Sequence, residues 1–210
     1  MKKTLYFFLA IVGLSFLIGI LVYSKMPIMV ASHWDAQGEI NGYVSRFWGV
    51  FLMPIISIAL IMLFLLIPKI DPLKKNIADF QSHYDKFIVV VLLFLFIIYI
   101  QTILWNLGIK IGPLAVMPWA FAILLYSVGD FLQHTKRNWF VGIRTPWTLS
   151  SDKVWKKTHA LGAKLYKISA LISLLGIFSA KYTLAFVLAP ILASSLYLVL
   201  YSYLEFEKEK

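Results

Sequence analysis

The stretch Asn138 to Gly162, NWFVGIRTPWTLSSDKVWKKTHALG, concentrates groups able to bind an anion or a protein partner. Arg144 carries the planar, permanently charged fork that matches carboxylate and phosphate oxygens. Around it stand Trp139, Trp147 and Trp155, and six of the twenty basic residues lie in or beside the stretch: Arg137, Arg144, Lys153, Lys156, Lys157 and Lys164. Gly142 relieves crowding beside Arg144, while Pro146 fixes its own φ and drives Thr145 towards extended geometry. Ser151 or Asp152 is placed to cap a helix beginning near Lys153, which would set Trp155, His159 and Gly162 along one face. Two readings follow. The stretch is a docking surface for a cytoplasmic partner or anionic group, formed by Asn138, Gly142, Arg144, Thr145, Pro146, Trp147 and Trp155. Or it is an interfacial anchor, with tryptophans at the membrane surface and lysines against anionic headgroups. His159 alone reads as a packed residue. No serine–histidine–acid pattern, glycine-rich phosphate loop or HExxH motif occurs, so no catalytic residue is assigned and the chain is not read as an enzyme.

The second polar cluster is Tyr23 to Phe47, YSKMPIMVASHWDAQGEINGYVSRF. Gly38 and Gly42 permit tight folding, and Asp35 and Asn41 can satisfy turn amides with their side chains. A compact lid with His33, Asp35 and Glu39 close together is expected. Such donors could hold Zn²⁺ or a similar ion; a lid that is structural or binds a ligand through His33, Trp34, Asp35, Asn41 and Arg46 is the competing reading. No metal and no cofactor is assigned.

Positioning both clusters falls to the apolar runs between them. Hydrophobic residues make up 60% of the 210 and charged residues 14%, against about 45–50% and about 25% in soluble domains. This marks a multi-pass protein of the cell membrane, and the length holds about six spans of roughly 20 residues. The spans are expected at Thr4–Tyr23, Phe47–Ile67 stopped by Pro68, Phe87–Leu107 stopped by Gly108, Pro113–Leu132, Leu165–Ala180 and Tyr182–Leu204. The first is read as a retained span, since its apolar run exceeds the core of a signal peptide. Ala180 and Lys181 form the corner of a tight helical hairpin, and Pro190 should kink the last span. Cysteine is absent, which removes disulfides and thiolate chemistry.

Charge orients the bundle. With the N-terminus inside, only Lys25, Arg46, Lys110 and Lys181 face out, and the other sixteen basic residues, from Lys2 and Lys3 to Lys208 and Lys210, face the cytoplasm. Both termini are then cytoplasmic. The net charge of +10 thus serves topology, and direct nucleic-acid binding is not expected. The expected fold is all-α: about six transmembrane helices, an outer loop over 24–46 and a cytoplasmic loop over 133–164. Inside the spans, Gln101, Asn106 and Asp130 are the notable polar residues. A small transporter or exporter using them as a path is the alternative function, although so few embedded ionisable groups argue against it.

The cytoplasmic stretch resembles the signature of the SdpI family of bacterial membrane proteins, with Asn138, Gly142, Arg144, Thr145, Pro146, Trp147, Thr148 and Trp155 in register. The outer loop, P-x5-H-W-D-x2-G-x2-N-G-Y-x-S-R, is similar to a companion domain of unknown function, DUF1648, at Pro27, His33, Trp34, Gly38, Asn41, Gly42, Ser45 and Arg46. The division implied is residues 1–68 for the DUF1648-like region and 69–210 for the SdpI-like region. The resemblance implies immunity to a secreted, membrane-active peptide toxin of the sporulation-delay type. It also implies signalling through a cytoplasmic ArsR-type repressor held at the membrane. The implied partners are therefore the toxin, that repressor and membrane lipids.

Overall fold

The computed structural model describes residues 2–209, Lys2 and Lys3 by backbone alone; Lys210, counted among the inward charges, lies outside them. The chain forms α1 (Lys2–Val22), β1 (Met29–Trp34), β2 (Ile40–Ser45), α2 (Arg46–Ile70), α3 (Lys74–Asp79) and α4 (Gln81–Asn106). It continues through α5 (Pro113–His134), α6 (Pro146–Ser150), α7 (Asp152–Ser173) and α8 (Thr183–Glu207). Among the described residues, six helices are long and apolar enough to cross a membrane: α1, α2, α4, α5, α7 with its 3₁₀ extension to Phe178, and α8. Their outer faces expose Leu17, Ile20, Met62, Ile123 and Leu196, as lipid contact requires.

Two apolar clusters hold the N-terminal helices together. One joins Phe8 and Val12 of α1, Ile61 and Ile67 of α2, Ile77 of α3, Ile88 and Leu92 of α4, and Phe131 of α5. The other joins Met26, Val30, Val50, Tyr99 and Ile103 beneath the strands. Helix α7 packs chiefly on α5 and α8, where small residues let backbones approach. A Cβ on Gly129 of α5 would stand 2.8 Å from the Ala163 carbonyl of α7. Hydroxyl contacts supplement this packing: Tyr166 to Ser195 at 2.9 Å, and Ser169 to Ser194 at 3.4 Å.

Two expectations are corrected. The protein is not purely helical, because Met29–Trp34 and Ile40–Ser45 pair as an antiparallel hairpin, Met29 opposite Ser45 and Trp34 opposite Ile40. Its turn uses Gly38 at φ +84°, with the Asp35 carboxylate accepting the Gln37 and Glu39 amides at 2.9 Å. Burying Val30 against Gly49 of α2 fixes the register; a Cβ there would meet the valine side chain at 2.5 Å. The second correction concerns Pro68, which does not stop α2: the helix runs on to Ile70. Proline has no N–H to give the carbonyl four residues back. That acceptor, Phe64 C=O, is taken instead by the Tyr84 hydroxyl of α4 at 2.8 Å, so the helix continues.

The remaining spans follow expectation with longer ends. Helix α4 starts at Gln81, and α7 begins at Asp152 and runs on into the fifth span as one helix. Short 3₁₀ turns around Ser179 close the hairpin between α7 and α8.

Candidate functional site

The bundle has two structured ends. At one end the connection 135–151 folds around Asn138, whose side chain is fully buried. Its amide group donates to the Lys136 and Val141 carbonyls at 2.9 and 3.0 Å. Its oxygen accepts the Phe140 and Val141 amides at 3.0 and 2.7 Å. All four hydrogen-bonding positions of the side chain are thus used in closing one turn. Asp71, buried between α2 and α3, accepts the Trp139 amide at 2.9 Å, and Asn76 of α3 donates to the Arg137 carbonyl at 2.8 Å.

Gly142 follows at φ +103°, and a Cβ there would lie 2.6 Å from His159 Nε2. That closeness serves a hydrogen bond, since Nε2 accepts the neighbouring Ile143 amide at 2.9 Å. The other ring nitrogen, Nδ1, faces the Trp155 carbonyl at 2.9 Å and donates to it. Together these contacts fix the neutral Nδ1–H tautomer. Both nitrogens are occupied, so His159 offers no free base for catalysis. Trp155 stacks on the His159 ring at 4.0 Å and donates its indole N–H to the Thr135 carbonyl at 3.0 Å.

Helix α6 begins with Thr145 and Thr148 capping each other's amides, with Pro146 at the first helical position. The Thr145 hydroxyl also reaches Ser202 of α8 at 3.0 Å. Trp147 packs on Tyr203 of α8 at 5.1 Å. Arg144 is exposed and donates to the Trp139 carbonyl at 2.7 Å, with Trp139 itself 51% exposed. Beside the loop opens a cleft of about 490 Å³ lined by Arg137, Asp152, Trp155, Lys156 and His159, among others.

The structure therefore divides the residues singled out in the loop. Asn138, Gly142, Thr145 and Trp155 point inward and build it; Arg144 and Pro146 face out, and Trp147 is half-buried against α8. Sequence reasoning missed Asp71 and Ser202, which lie far along the chain from the loop they hold.

At the opposite end, His33 and Asn41 are exposed and pair across the strands, Nδ1 to Oδ1 at 2.5 Å. Trp34 meets Trp105 of α4 edge to face, with ring centroids 5.7 Å apart. The Arg46 guanidinium lies over the Tyr23 ring at 5.6 Å and donates to the Pro27 carbonyl at 3.3 Å. The strand is tied to the bundle by Asn106, whose amide accepts the Ala31 N–H at 2.9 Å and donates to the Ala31 carbonyl at 3.0 Å, as a neighbouring strand would. His33, Asp35 and Glu39 are not gathered into a metal-type triad. Asp35 serves the turn and His33 serves Asn41, and among the described residues the one group of three such donors is His83, Asp130 and His134 at the other end.

The residues considered for a transport path are engaged singly. Gln101 donates to the Ile111 carbonyl, and Asn106 holds Ala31. Asp130 lies beside His83 at 3.3 Å.

The model of the SdpI/YfhL protein family matches residues 134–202, and that of DUF1648, a domain of unknown function, matches residues 10–58. The chain is 25% identical over 209 residues to the immunity protein SdpI of Bacillus subtilis (strain 168), covering 99% of this chain and 98% of that protein. No solved structure matches it. The six membrane helices and these matches make the chain a multi-pass cell-membrane protein that is similar to the SdpI/YfhL family over residues 134–202 and to DUF1648 over residues 10–58.

Proposed function

We propose that the protein protects the cell that makes it against a secreted, membrane-active peptide toxin. The observation that carries this reading is similarity along nearly the whole chain to a protein named as an immunity protein. Its N- and C-termini and the 135–151 loop are assigned to the cytoplasm, and the strands to the outside, by the excess of lysine and arginine at the loop end. On that orientation the 1–68 region meets the toxin, through His33, Trp34, Asp35, Asn41 and Arg46. The 69–210 region carries any signal inward, to a cytoplasmic repressor docking on Arg144, Pro146 and Trp147. Asn138, Gly142, Thr145 and Trp155 contribute to that docking by holding the surface in shape. Signalling of this kind requires two arrangements of the bundle, one favoured by toxin.

No observation favours transport, because Gln101, Asn106 and Asp130 each have a local partner. A non-enzymatic role is supported by the internal use of both His159 nitrogens.

Expression in a toxin-sensitive strain tests the reading. Survival under peptide challenge should rise well above that of cells carrying the empty vector. Unchanged killing by every related peptide, with the protein present in the membrane, would overturn it.

A further inference from the structure

The geometry points to a binding site for one divalent transition-metal ion, of the Zn²⁺ type, formed by His83, Asp130 and His134 at the loop end of the bundle. Asp130 and His134 stand four residues apart on α5 and so share a face. His83, in the first turn of α4, joins them from the neighbouring helix. One donor atom from each of the three lies within 4.8 Å of the other two.

The distances suit coordination. Two donors bonded to a tetrahedral ion at about 2.0–2.2 Å stand about 3.4 Å apart. His83 Nδ1 lies 3.3 Å from Asp130 Oδ2, and His134 Nδ1 lies 3.8 Å from Asp130 Oδ1. The imidazole rings are stacked, centroids 3.5 Å apart and planes 10° from parallel. Stacked rings aim their lone pairs side by side. Binding therefore turns them apart until the lone pairs converge on the ion. His134 exchanges its 2.8 Å contact with the Asp130 carbonyl for the metal bond and His83 its contact with the Asp130 carboxylate, the Nδ1 proton of each ring moving to its Nε2 so that both rings stay neutral.

Chemistry selects the ion. Two imidazoles with one carboxylate favour Zn²⁺, Ni²⁺ or Cu²⁺ over Mg²⁺ and Ca²⁺, which prefer all-oxygen shells. The cations that follow His134 do not compete for the carboxylate, since Lys136 pairs with Asp79 at 2.7 Å and Arg137 with Asp152 at 2.8 Å. The side chains of the three ligands are between a quarter and two-fifths exposed, which leaves the ion a way in and open positions for water. An ion here would clamp the start of α4 to the end of α5, one residue before Thr135 accepts the Trp155 indole.

The test uses the full-length, tag-free protein in detergent, stripped with chelator and titrated with Zn²⁺ calorimetrically. Co²⁺ serves as the spectroscopic probe of nitrogen ligation. One Zn²⁺ per chain is expected, with a raised thermal transition. Asp130→Asn and the double variant H83A/H134A should each weaken binding at least about tenfold, a loss of the size seen when the ligation of a metal site is disturbed. His33→Ala, a histidine at the far end, should bind as the parent does. Circular dichroism without metal checks that the variants fold alike. No uptake by the parent protein, or uptake unchanged in H83A/H134A, would overturn the assignment.

Discussion

The two ends of the bundle use polar residues in opposite ways. In the hairpin, His33 and Asn41 bond to each other, and Asp35 bonds to its own turn, so the network is local and lies at the surface. In the 135–151 loop, the bonds reach Asp71 after α2, Asn76 in α3, His159 in α7 and Ser202 in α8. The first is an appendage held to the helices by Asn106 and Val30. The second is a junction where α2, α3, α5, α7 and α8 meet, and Thr135, Asn138, Thr145 and Thr148 are buried within it. A motif dense in polar and aromatic residues therefore does not by itself mark a binding surface. Burial decides which of its members can touch a partner.

The sharpest way to break this contrast is Gly142→Ala. The backbone there has φ +103°, a region costing a residue with a Cβ roughly 1–3 kcal/mol. The new methyl would also lie 2.6 Å from His159 Nε2 and displace the acceptor of the Ile143 amide, adding about 1–3 kcal/mol for a buried unpaired donor. A loss of about 3 kcal/mol or more is expected, seen as a lower thermal transition in detergent and less protein in the membrane. Stability equal to the parent would mean that the loop does not pack as described.

A smaller effect sharpens the other side. Asn106→Ala removes the pair of hydrogen bonds that dock β1 on α4. Each is worth about 0.5–1.5 kcal/mol net. Because the strands lie at the edge of the molecule, the loss should appear as local opening. Amide exchange should speed at Ala31 and its neighbours, while the loop around Asn138 stays as protected as before. Equal loosening at both ends would contradict the division into appendage and junction.

Much of this architecture was legible in the sequence, for identifiable reasons. Runs of about 20 apolar residues have few other uses, so the six spans could be read directly. Ser151 marks the start of α7 by a rule local to three residues, and its hydroxyl does accept the Val154 amide at 3.2 Å. The hairpin was not legible as strands, because six-residue strands beside a long helix give only a short alternating pattern. Pro68 misled for a different reason: its cost is offset by Tyr84, sixteen residues further on. The same distance problem hid Asp71 beneath the loop, and hid His83, which meets Asp130 across 47 residues of chain.

The smallest effects on stability separate the two ends most cleanly by function. Surface substitutions away from buried features change stability by no more than about 0.5 kcal/mol. His33→Ala removes an exposed pair with Asn41, and Arg144→Ala removes an exposed bond to the Trp139 carbonyl, so both variants should fold and insert like the parent. Their functional outcomes should diverge. If the strands meet the toxin, His33→Ala lowers survival under peptide challenge and leaves partner capture intact, since nothing it touches reaches the loop. Arg144→Ala should do the reverse: survival holds, while co-purification of a cytoplasmic partner with the membrane fraction falls. Loss of both properties in either variant would mean that the ends work as one unit, with the helices between them transmitting each change. That result would replace the contrast of appendage and junction with a single coupled device.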